Sequence, residues 1–200
     1  MITPTVPTPA VTGPTRVSPT PEIRDNARTF RGRSRLATSD AAWAASASAI
    51  LVLLAGAVTL ATGQPWLFAA LGPTAVTVAS SPGHAQARFH AIVVGHLTAL
   101  VCAWLVILLV GAGHAGAVGG GTVTIARVWA SAMAIAAIAL VQPSLRAYHP
   151  PSAATALLVT LGNYQVTWKS SLSMMGGVLV IALAGEWFQR IRLKDEPVRR

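Results

Sequence analysis

The middle of the chain has no acidic side chain. All six Asp and Glu residues lie before Ala41 or after Gly185. Membrane pathways for protons or metal cations usually need carboxylates that compensate the charge, so their absence disfavours a pathway of that kind. The interval keeps basic and imidazole groups, which favour an anion: Arg88, Arg127, Arg146, Lys169 and all five histidines. The alternative for Arg127 and Lys169 is that they mark loops and helix ends.

Other absences narrow the class of protein further. Cys102 is the only cysteine, which excludes an intrachain disulfide and a cysteine zinc cluster. The chain has no Walker loop, no HExxH sequence and no acidic metal cluster. We therefore expect no enzyme activity, no metal, no cofactor and no nucleic-acid partner. No apolar run follows Met1, so we expect no secretory signal; a basic cytoplasmic flank or an organelle transit peptide remains open.

What the chain does have is apolar residues. It is 53% hydrophobic and 10% charged, with a mean hydropathy of +0.57, which indicates an integral membrane protein. Residues 1–38 are basic and rich in Pro and Thr, and we expect them to be disordered. We expect residues 39–190 to form an all-α transmembrane domain, and residues 191–200 to form a basic C-terminal tail.

Six apolar segments divide this domain. Because a hydrocarbon core of about 30 Å needs about 20 helical residues, four are long enough to span it. The second and fifth are short and contain proline. Their expected bounds are 41–62, 66–81, 91–112, 124–142, 149–163 and 171–189.

The two short segments suggest an internal repeat. Leu71-Gly72-Pro73-Thr74-Ala75-Val76-Thr77 and His149-Pro150-Pro151-Ser152-Ala153-Ala154-Thr155 align 78 residues apart, with proline, hydroxyl residue, alanine and threonine in register. We predict a three-plus-three architecture, with repeat 1 at about 41–112 and repeat 2 at about 124–189. Interrupted helices in corresponding halves of a membrane protein point to a substrate site.

The distribution of positive charge predicts the topology. Basic tails place both termini in the cytoplasm, which requires an even number of crossings. Six crossings put Arg88 and Arg146 inside, the uncharged loop 111–124 outside, and only Lys169 on the unfavourable side. Four crossings leave Arg88, Arg146 and Lys169 all outside. We therefore favour six crossings, with the halves inverted, although the short segments could instead re-enter.

Proline predicts how the short segments begin. Pro150 and Pro151 cannot continue a preceding helix but suit the first turn of a new one. We expect that helix to run toward Gly162, exposing the Ser152 hydroxyl and the backbone N–H groups of Ser152, Ala153 and Ala154 to an anion. Gly72, Pro73 and Thr74 would build the same site from the opposite side, with Thr77 and Thr155 one turn further in. The alternative is that both prolines simply start packed helices.

A second group of candidates follows Ser81-Pro82. Arg88 can hold an oxyanion with two hydrogen bonds, Gln86 can donate its amide, and His96 lies about one turn inside a spanning helix. The alternatives are that His96 is bonded to a nearby carbonyl and that Arg88 is an interfacial anchor.

The string His149-Pro150-Pro151 with its Ser152 to Leu157 continuation resembles the signature of the HPP family of integral membrane proteins. The run Leu71-Gly72, Ser81-Pro82, Ala85-Gln86, Arg88 and Gly95-His96 is similar to that family's first conserved block. The resemblance covers residues 40–190 and departs at Pro73 and at 84–89. It implies four spanning helices and, since some plastid members are associated with nitrite transport, a small monovalent anion.

These observations favour a transporter or channel for a small inorganic anion, nitrite first, in a bacterial inner membrane. A proton could accompany the anion through His96 or His149. An organelle membrane remains open, and a homodimer is compatible with the chain's size. The competing classes are an intramembrane enzyme, which the motifs disfavour, and a non-transporting structural or sensor protein that binds membrane lipid or partners through its basic tails.

Overall fold

The computed structural model describes residues 21–114, 117, 121, 123–165 and 167–195, with side chains described from residue 39 to residue 194 except at His114. The chain divides into two units, Met1–Ser39 and Asp40–Arg200. The contacts reported below lie within the second unit.

The described residues form six α-helices and no strand. Single turns of 3-10 helix at Ala85–Ala87 and Ala112–His114 follow the second and third α-helices. The α-helices are α1 Pro21–Thr62, α2 Leu71–Ser80, α3 Phe89–Val110, α4 Ile125–Ser144, α5 Ser152–Thr160 and α6 Trp168–Asp195. The prediction of an all-α fold is confirmed.

Four helices are long and apolar enough to cross a membrane: Ser39–Thr62, Phe89–Val110, Ile125–Ser144 and Trp168–Lys194. α2 has 10 residues and α5 has 9. At 1.5 Å per residue each covers about 15 Å, half of a hydrocarbon core. The prediction of four long and two short segments is confirmed.

The structure describes part of each predicted tail. α1 begins at Pro21, within the predicted N-terminal tail. The physical reason is local, because proline suits the first helical position and the helix then continues into the apolar span. α6 likewise continues to Asp195, into the predicted C-terminal tail. Residues 1–20 and 196–200 lie outside the described residues.

Hydrogen bonds identify the two ends of the helix bundle. At end A, Arg192 pairs with Asp40, so the first and last long helices meet there. Two further end-A contacts are Gly83 N to Gln189 Oε1 at 3.0 Å and His90 Nε2 to the Leu145 carbonyl at 3.2 Å. At end B, the Tyr164 hydroxyl donates to the Pro65 carbonyl at 3.0 Å.

The segment containing α2 passes between these ends alongside α6. Trp66 packs against Gly176 and Gly177 of α6, where no side chain would fit, and Gly83 bonds to Gln189 thirteen residues later. Those residues of α6 measure about 20 Å. Residues 63–83 therefore run from end B to end A as a non-helical stretch followed by a half-length helix.

The segment containing α5 makes the corresponding passage alongside α4. His149 bonds to Gln142 near the end of α4, and Thr160 bonds to Arg127 and Ser131 near its start. The chain thus passes along the bundle six times. The order long, short, long occurs twice among the described helices.

Candidate functional site

The two short helices begin on either side of His96. Each has threonine at its fourth position, Thr74 in α2 and Thr155 in α5. Thr74 Oγ1 lies 2.9 Å from His96 Nε2, and Thr155 Oγ1 lies 2.7 Å from His96 Nδ1. His96 is seven residues inside α3, about 10 Å from its start. First-turn side chains of both short helices therefore meet on one imidazole inside the bundle.

A second imidazole completes this group. His149 Nε2 lies 3.3 Å from Thr74 Oγ1, and His149 Nδ1 lies 2.7 Å from the Gln86 carbonyl. The centroids of the two imidazole rings are 5.1 Å apart. Thr74, His96 and His149 are 0% exposed and Thr155 is 1% exposed. We refer to Thr74, His96, His149 and Thr155 as the His–Thr cluster.

Gln142 of α4 holds the backbone around this cluster. Its Nε2 donates to the Gly95 carbonyl at 3.0 Å and to Ser152 Oγ at 2.7 Å, and its Oε1 accepts from the His149 N–H at 3.2 Å. Ser152 Oγ in turn donates to the His149 carbonyl at 2.7 Å. One buried amide thus ties α3, α4 and the start of α5 together.

Gly95 allows this close approach. A Cβ atom at position 95 would lie 2.8 Å from His149 Cβ and 3.1 Å from the Ala147 carbonyl oxygen. Only a residue without a side chain lets the segment before α5 lie against α3. Gly95 therefore sets how near His149 comes to His96.

The backbone donors predicted at the start of α5 are not free. The N–H groups of Ser152, Ala153 and Ala154 donate to the carbonyls of His149, Pro150 and Pro151, at 3.0, 3.0 and 3.1 Å. A tight turn through the two prolines places those carbonyls directly beneath the first turn of the helix. The structure therefore corrects the predicted backbone cradle, because imidazole and hydroxyl groups line the meeting point instead.

Two of the predicted side chains lie elsewhere. Arg88 is exposed and lines a surface cavity of about 720 Å³ near end A with His90 and Arg190. It does not reach the cluster, because it precedes α3 by one residue while His96 is two turns further in. Gln86 contributes its carbonyl rather than its amide, and its side chain lines a second surface cavity of about 440 Å³ with Arg146 and Tyr148.

The remaining predicted residues flank the cluster. Gly72 and Pro73 lie in the first turn of α2, whereas Pro150, Pro151 and Ala153 lie around the start of α5. Thr77 is half-buried in α2, outside the His–Thr cluster.

The alignment by 78 residues pairs Thr77 with Thr155. Helix positions instead pair Thr74 with Thr155, 81 residues apart.

Sequence reasoning missed Gln142, and it left Arg127 either as a cation that favours an anion or as a marker of a helix end. Arg127 is 5% exposed, and its Nη1 donates to the Thr160 carbonyl at 2.9 Å, at the carboxyl end of α5. A cation there is favoured by the helix dipole. The available signals were weak: a lone glutamine before Pro143 and an arginine one turn into an apolar segment.

The cluster carries no carboxylate among the described residues. Of the acids with described side chains, Glu186 pairs with Arg190 at 3.3 Å and Asp40 pairs with Arg192, both toward end A. Within that same part of the chain, no three or more His, Cys, Asp or Glu residues form a group able to hold a metal ion. The cluster offers imidazole and hydroxyl groups, which can donate to an anion and exchange protons.

Four membrane-length helices and two half-length helices around a buried polar cluster define a polytopic helical membrane protein. A model of the HPP transmembrane region matches residues 33–197, a range that includes every member of the cluster. The chain therefore belongs to the HPP family of integral membrane proteins, and the resemblance drawn from its motifs is confirmed. Comparison with curated proteins and with solved structures gives no match.

Proposed function

We propose that this protein is a transporter or channel for a small inorganic anion, with nitrite as the first candidate, and that the anion binds at the His–Thr cluster. One observation carries the proposal. Hydroxyls from the first turns of two half-length helices contact both nitrogens of the same buried imidazole. Helices that begin inside a membrane bundle are typical of transporter substrate sites.

The donor groups suit an oxyanion better than a cation. His96 and His149 can present N–H groups, Thr74 and Thr155 can present O–H groups, and no described carboxylate is near to attract a cation. Nitrite offers two oxygens and one negative charge, which this set can satisfy with two or three hydrogen bonds.

Positive charge continues on both sides of the cluster. Toward end A, Arg146 and His84 line the cavity of about 440 Å³ that also includes Gln86, whose carbonyl accepts from His149. Toward end B, Arg127 lies at the far end of α5. An anion passing along α5 would meet cations before and after the imidazoles, which favours anions over cations along this route.

The chain path supports an inverted repeat. The first long, short, long set starts at end A and the second starts at end B. In each set the approach to the short helix lies against a glycine of the other set's final long helix, Trp66 against Gly176 and His149 against Gly95. Inverted repeats allow a site between the halves to open alternately to either side. With basic termini at end A, we place end A in the cytoplasm and end B outside.

Three parts of the proposal rest on the family and on composition: nitrite as the substrate, the bacterial inner membrane as the location and a homodimer as the assembly.

The first test uses purified protein in liposomes and measures uptake of nitrite, nitrate, formate, chloride and bicarbonate. We expect saturable nitrite uptake that His96→Asn abolishes. Uptake equal to protein-free liposomes for all five anions would contradict transport and favour a structural or sensor role.

A further inference from the structure

We propose that His96 and His149 form a proton relay through the Thr74 hydroxyl, so that each anion crosses together with one proton. This inference rests on the proposed function and names the second transported species. It depends on which atoms of the cluster can donate and which can only accept.

The direction of the relay is fixed at one end. A backbone carbonyl only accepts hydrogen bonds, so His149 Nδ1, 2.7 Å from the Gln86 carbonyl, carries the proton of a neutral His149. His149 Nε2 is then an acceptor, and the polar atom bonded to it is Thr74 Oγ1 at 3.3 Å.

The remaining bonds follow in sequence. If the Thr74 hydroxyl donates to His149 Nε2, its oxygen is free to accept from His96 Nε2 at 2.9 Å. His96 Nδ1 then accepts from the Thr155 hydroxyl at 2.7 Å. The neutral cluster is thus a single directed chain of hydrogen bonds, from Thr155 through His96, Thr74 and His149 to the Gln86 carbonyl.

Thr74 has a second place for its proton. Its hydroxyl also lies 3.0 Å from the Ala70 carbonyl, one turn earlier in α2. When the transfer has left His149 with protons on both nitrogens, the Thr74 hydroxyl donates to His96 Nε2 and its oxygen accepts from His149 Nε2; the Ala70 carbonyl holds the hydroxyl proton as it turns between the two rings. The same side chain therefore satisfies both the neutral and the protonated form of His149 without movement of the backbone.

The transfer conserves protons. One proton from water on the Thr155 side binds His96 Nδ1 as the Thr155 hydroxyl turns away and accepts instead. The His96 Nε2 proton then passes to Thr74 Oγ1, and the original Thr74 proton passes to His149 Nε2. His96 ends neutral with its proton on Nδ1, and His149 ends protonated on both nitrogens. His149 then gives up its Nδ1 proton to water or to the departing anion on the Gln86 side, toward end A. Proton exchange with water between turnovers returns both imidazoles to their starting tautomers.

Charge compensation couples this proton to the anion. The groups that face the two rings are uncharged: Thr74 from α2, Thr155 from α5, the Gln86 carbonyl, and Phe68, whose ring edge packs on His96. The charged and titratable side chains on the elements packed around the pair are basic: Arg88 and His90 at the start of α3, Arg127 in α4 and Arg146 before α5. Those of α6 are Lys169 near its start and residues from Glu186 onward near end A.

A proton on this pair is therefore an uncompensated buried charge unless an anion lies beside it. By linkage, an anion that favours the protonated pair is itself bound more tightly when the proton is present. Proton and anion then occupy the cluster together and leave together.

The test measures the proton-to-nitrite ratio directly. Liposomes containing wild-type protein and a trapped pH-sensitive dye are given an inward nitrite gradient at alkaline pH, with the membrane potential clamped by potassium and valinomycin. We expect the lumen to acidify with one proton per nitrite taken up. Thr74→Val should lose this acidification, and Thr74→Ser should retain it. Thr98→Val, an equivalent change in α3 whose hydroxyl bonds only to the Val94 carbonyl, should keep the wild-type ratio.

The outcomes separate the relay from transport itself. Nitrite uptake by wild-type protein without acidification, or a wild-type ratio in Thr74→Val, would overturn the relay and leave anion transport standing. Absence of nitrite uptake by wild-type protein would overturn the proposed function and the relay with it. Because the wild-type ratio alone decides the first question, the test does not depend on whether Thr74→Val folds.

Discussion

Glycine at position 95 is as important to the cluster as the histidine that follows it. Without a side chain there, the His149 backbone packs directly on α3. With one, α3 and the start of α5 must separate, and the two imidazoles must separate with them. Stability and the geometry of the cluster therefore depend on the same contact.

Gly95→Ala should destabilise the fold by about 1–3 kcal/mol, because its Cβ would lie within 3.1 Å of two atoms that cannot rotate away. Gly72→Ala is the matched control, since it is also a helical glycine but has nothing within 4 Å of the new Cβ. Thermal unfolding in detergent should show a lower midpoint for Gly95→Ala only. An equal midpoint for both variants would contradict the close packing.

Gln142→Met should destabilise the protein by about 3 kcal/mol or more. The change keeps the volume but leaves the His149 N–H without its buried acceptor, at about 1–3 kcal/mol, and removes one hydrogen bond each from the Gly95 carbonyl and the Ser152 hydroxyl, at about 1 kcal/mol each. Unfolding midpoints measured beside Gln165→Met, a change in a non-helical stretch near end B, would check this. Similar midpoints for the two variants would mean that Gln142 does not hold the helices together.

At this scale the sequence predicts the histidines better than their partners. His96 and His149 stand out because imidazole is costly inside an apolar segment, and Thr155 stands out through the proline motif. Gln142 has no such signal, since its role depends on three groups from α3 and the start of α5. Arg88 was predicted at the site because a guanidinium group suits an anion. It directly precedes α3, however, and His96 lies two turns further along that helix.

Among the helices, α5 is fixed at both ends by different means. The prolines and Ser152 define its start, whereas Arg127 bonds to its last turn beside Gly162, which has a φ of +76°. A Cβ at Gly162 would lie 2.7 Å from Arg127 Nη2. The orientation of α5, and hence of Thr155, depends on that contact.

Gly162→Ala should therefore lower the free energy of unfolding more than Gly111→Ala does. Gly111 has a similar φ of +69° with nothing within 4 Å, so both variants bear the backbone strain of about 1–2 kcal/mol, and only Gly162→Ala also displaces Arg127 from the Thr160 carbonyl. Thermal unfolding of the two purified variants should show the lower midpoint for Gly162→Ala. A smaller loss for Gly162→Ala would show that Arg127 does not support α5.

Helix number and type are predictable here because long apolar runs and proline are strong local signals. Helix boundaries are less predictable, because α1 and α6 extend into stretches whose composition is typical of tails. The 78-residue register is also a local inference, and it pairs the wrong threonine of α2 with Thr155. The turn through Pro150 and Pro151, which bonds the first N–H groups of α5, is a tertiary detail that the motif does not reveal.

Over the whole molecule, the first and last long helices meet at the same end, where Asp40 pairs with Arg192. The basic tails predict that both termini lie on one side of the membrane. Four crossings and six crossings both meet this condition, so the number of crossings stays a prediction. Neither charge nor helix length shows how a 10-residue helix completes a crossing. The non-helical stretch 63–70, packed along α6, supplies the rest of the distance.

Labelling of introduced cysteines with a membrane-impermeant maleimide tests the number of crossings. In a Cys102→Ala background expressed in a bacterial inner membrane, Gly121→Cys at end B should react from outside the cell, because six crossings place that loop outside. His84→Cys, near end A, should react only after permeabilisation. The reversed pattern, with His84→Cys reacting from outside the cell and Gly121→Cys only after permeabilisation, would indicate that α2 and α5 re-enter rather than cross.

The most direct test of anion passage through the His–Thr cluster is nitrite uptake by liposomes containing Thr155→Val, compared with Thr98→Val. Both changes remove one hydroxyl from a membrane-embedded helix, but only Thr155 bonds to His96. We expect saturable nitrite uptake to fall to the protein-free level in Thr155→Val and to stay at the wild-type level in Thr98→Val. Equal uptake by the two variants would contradict a route through the cluster.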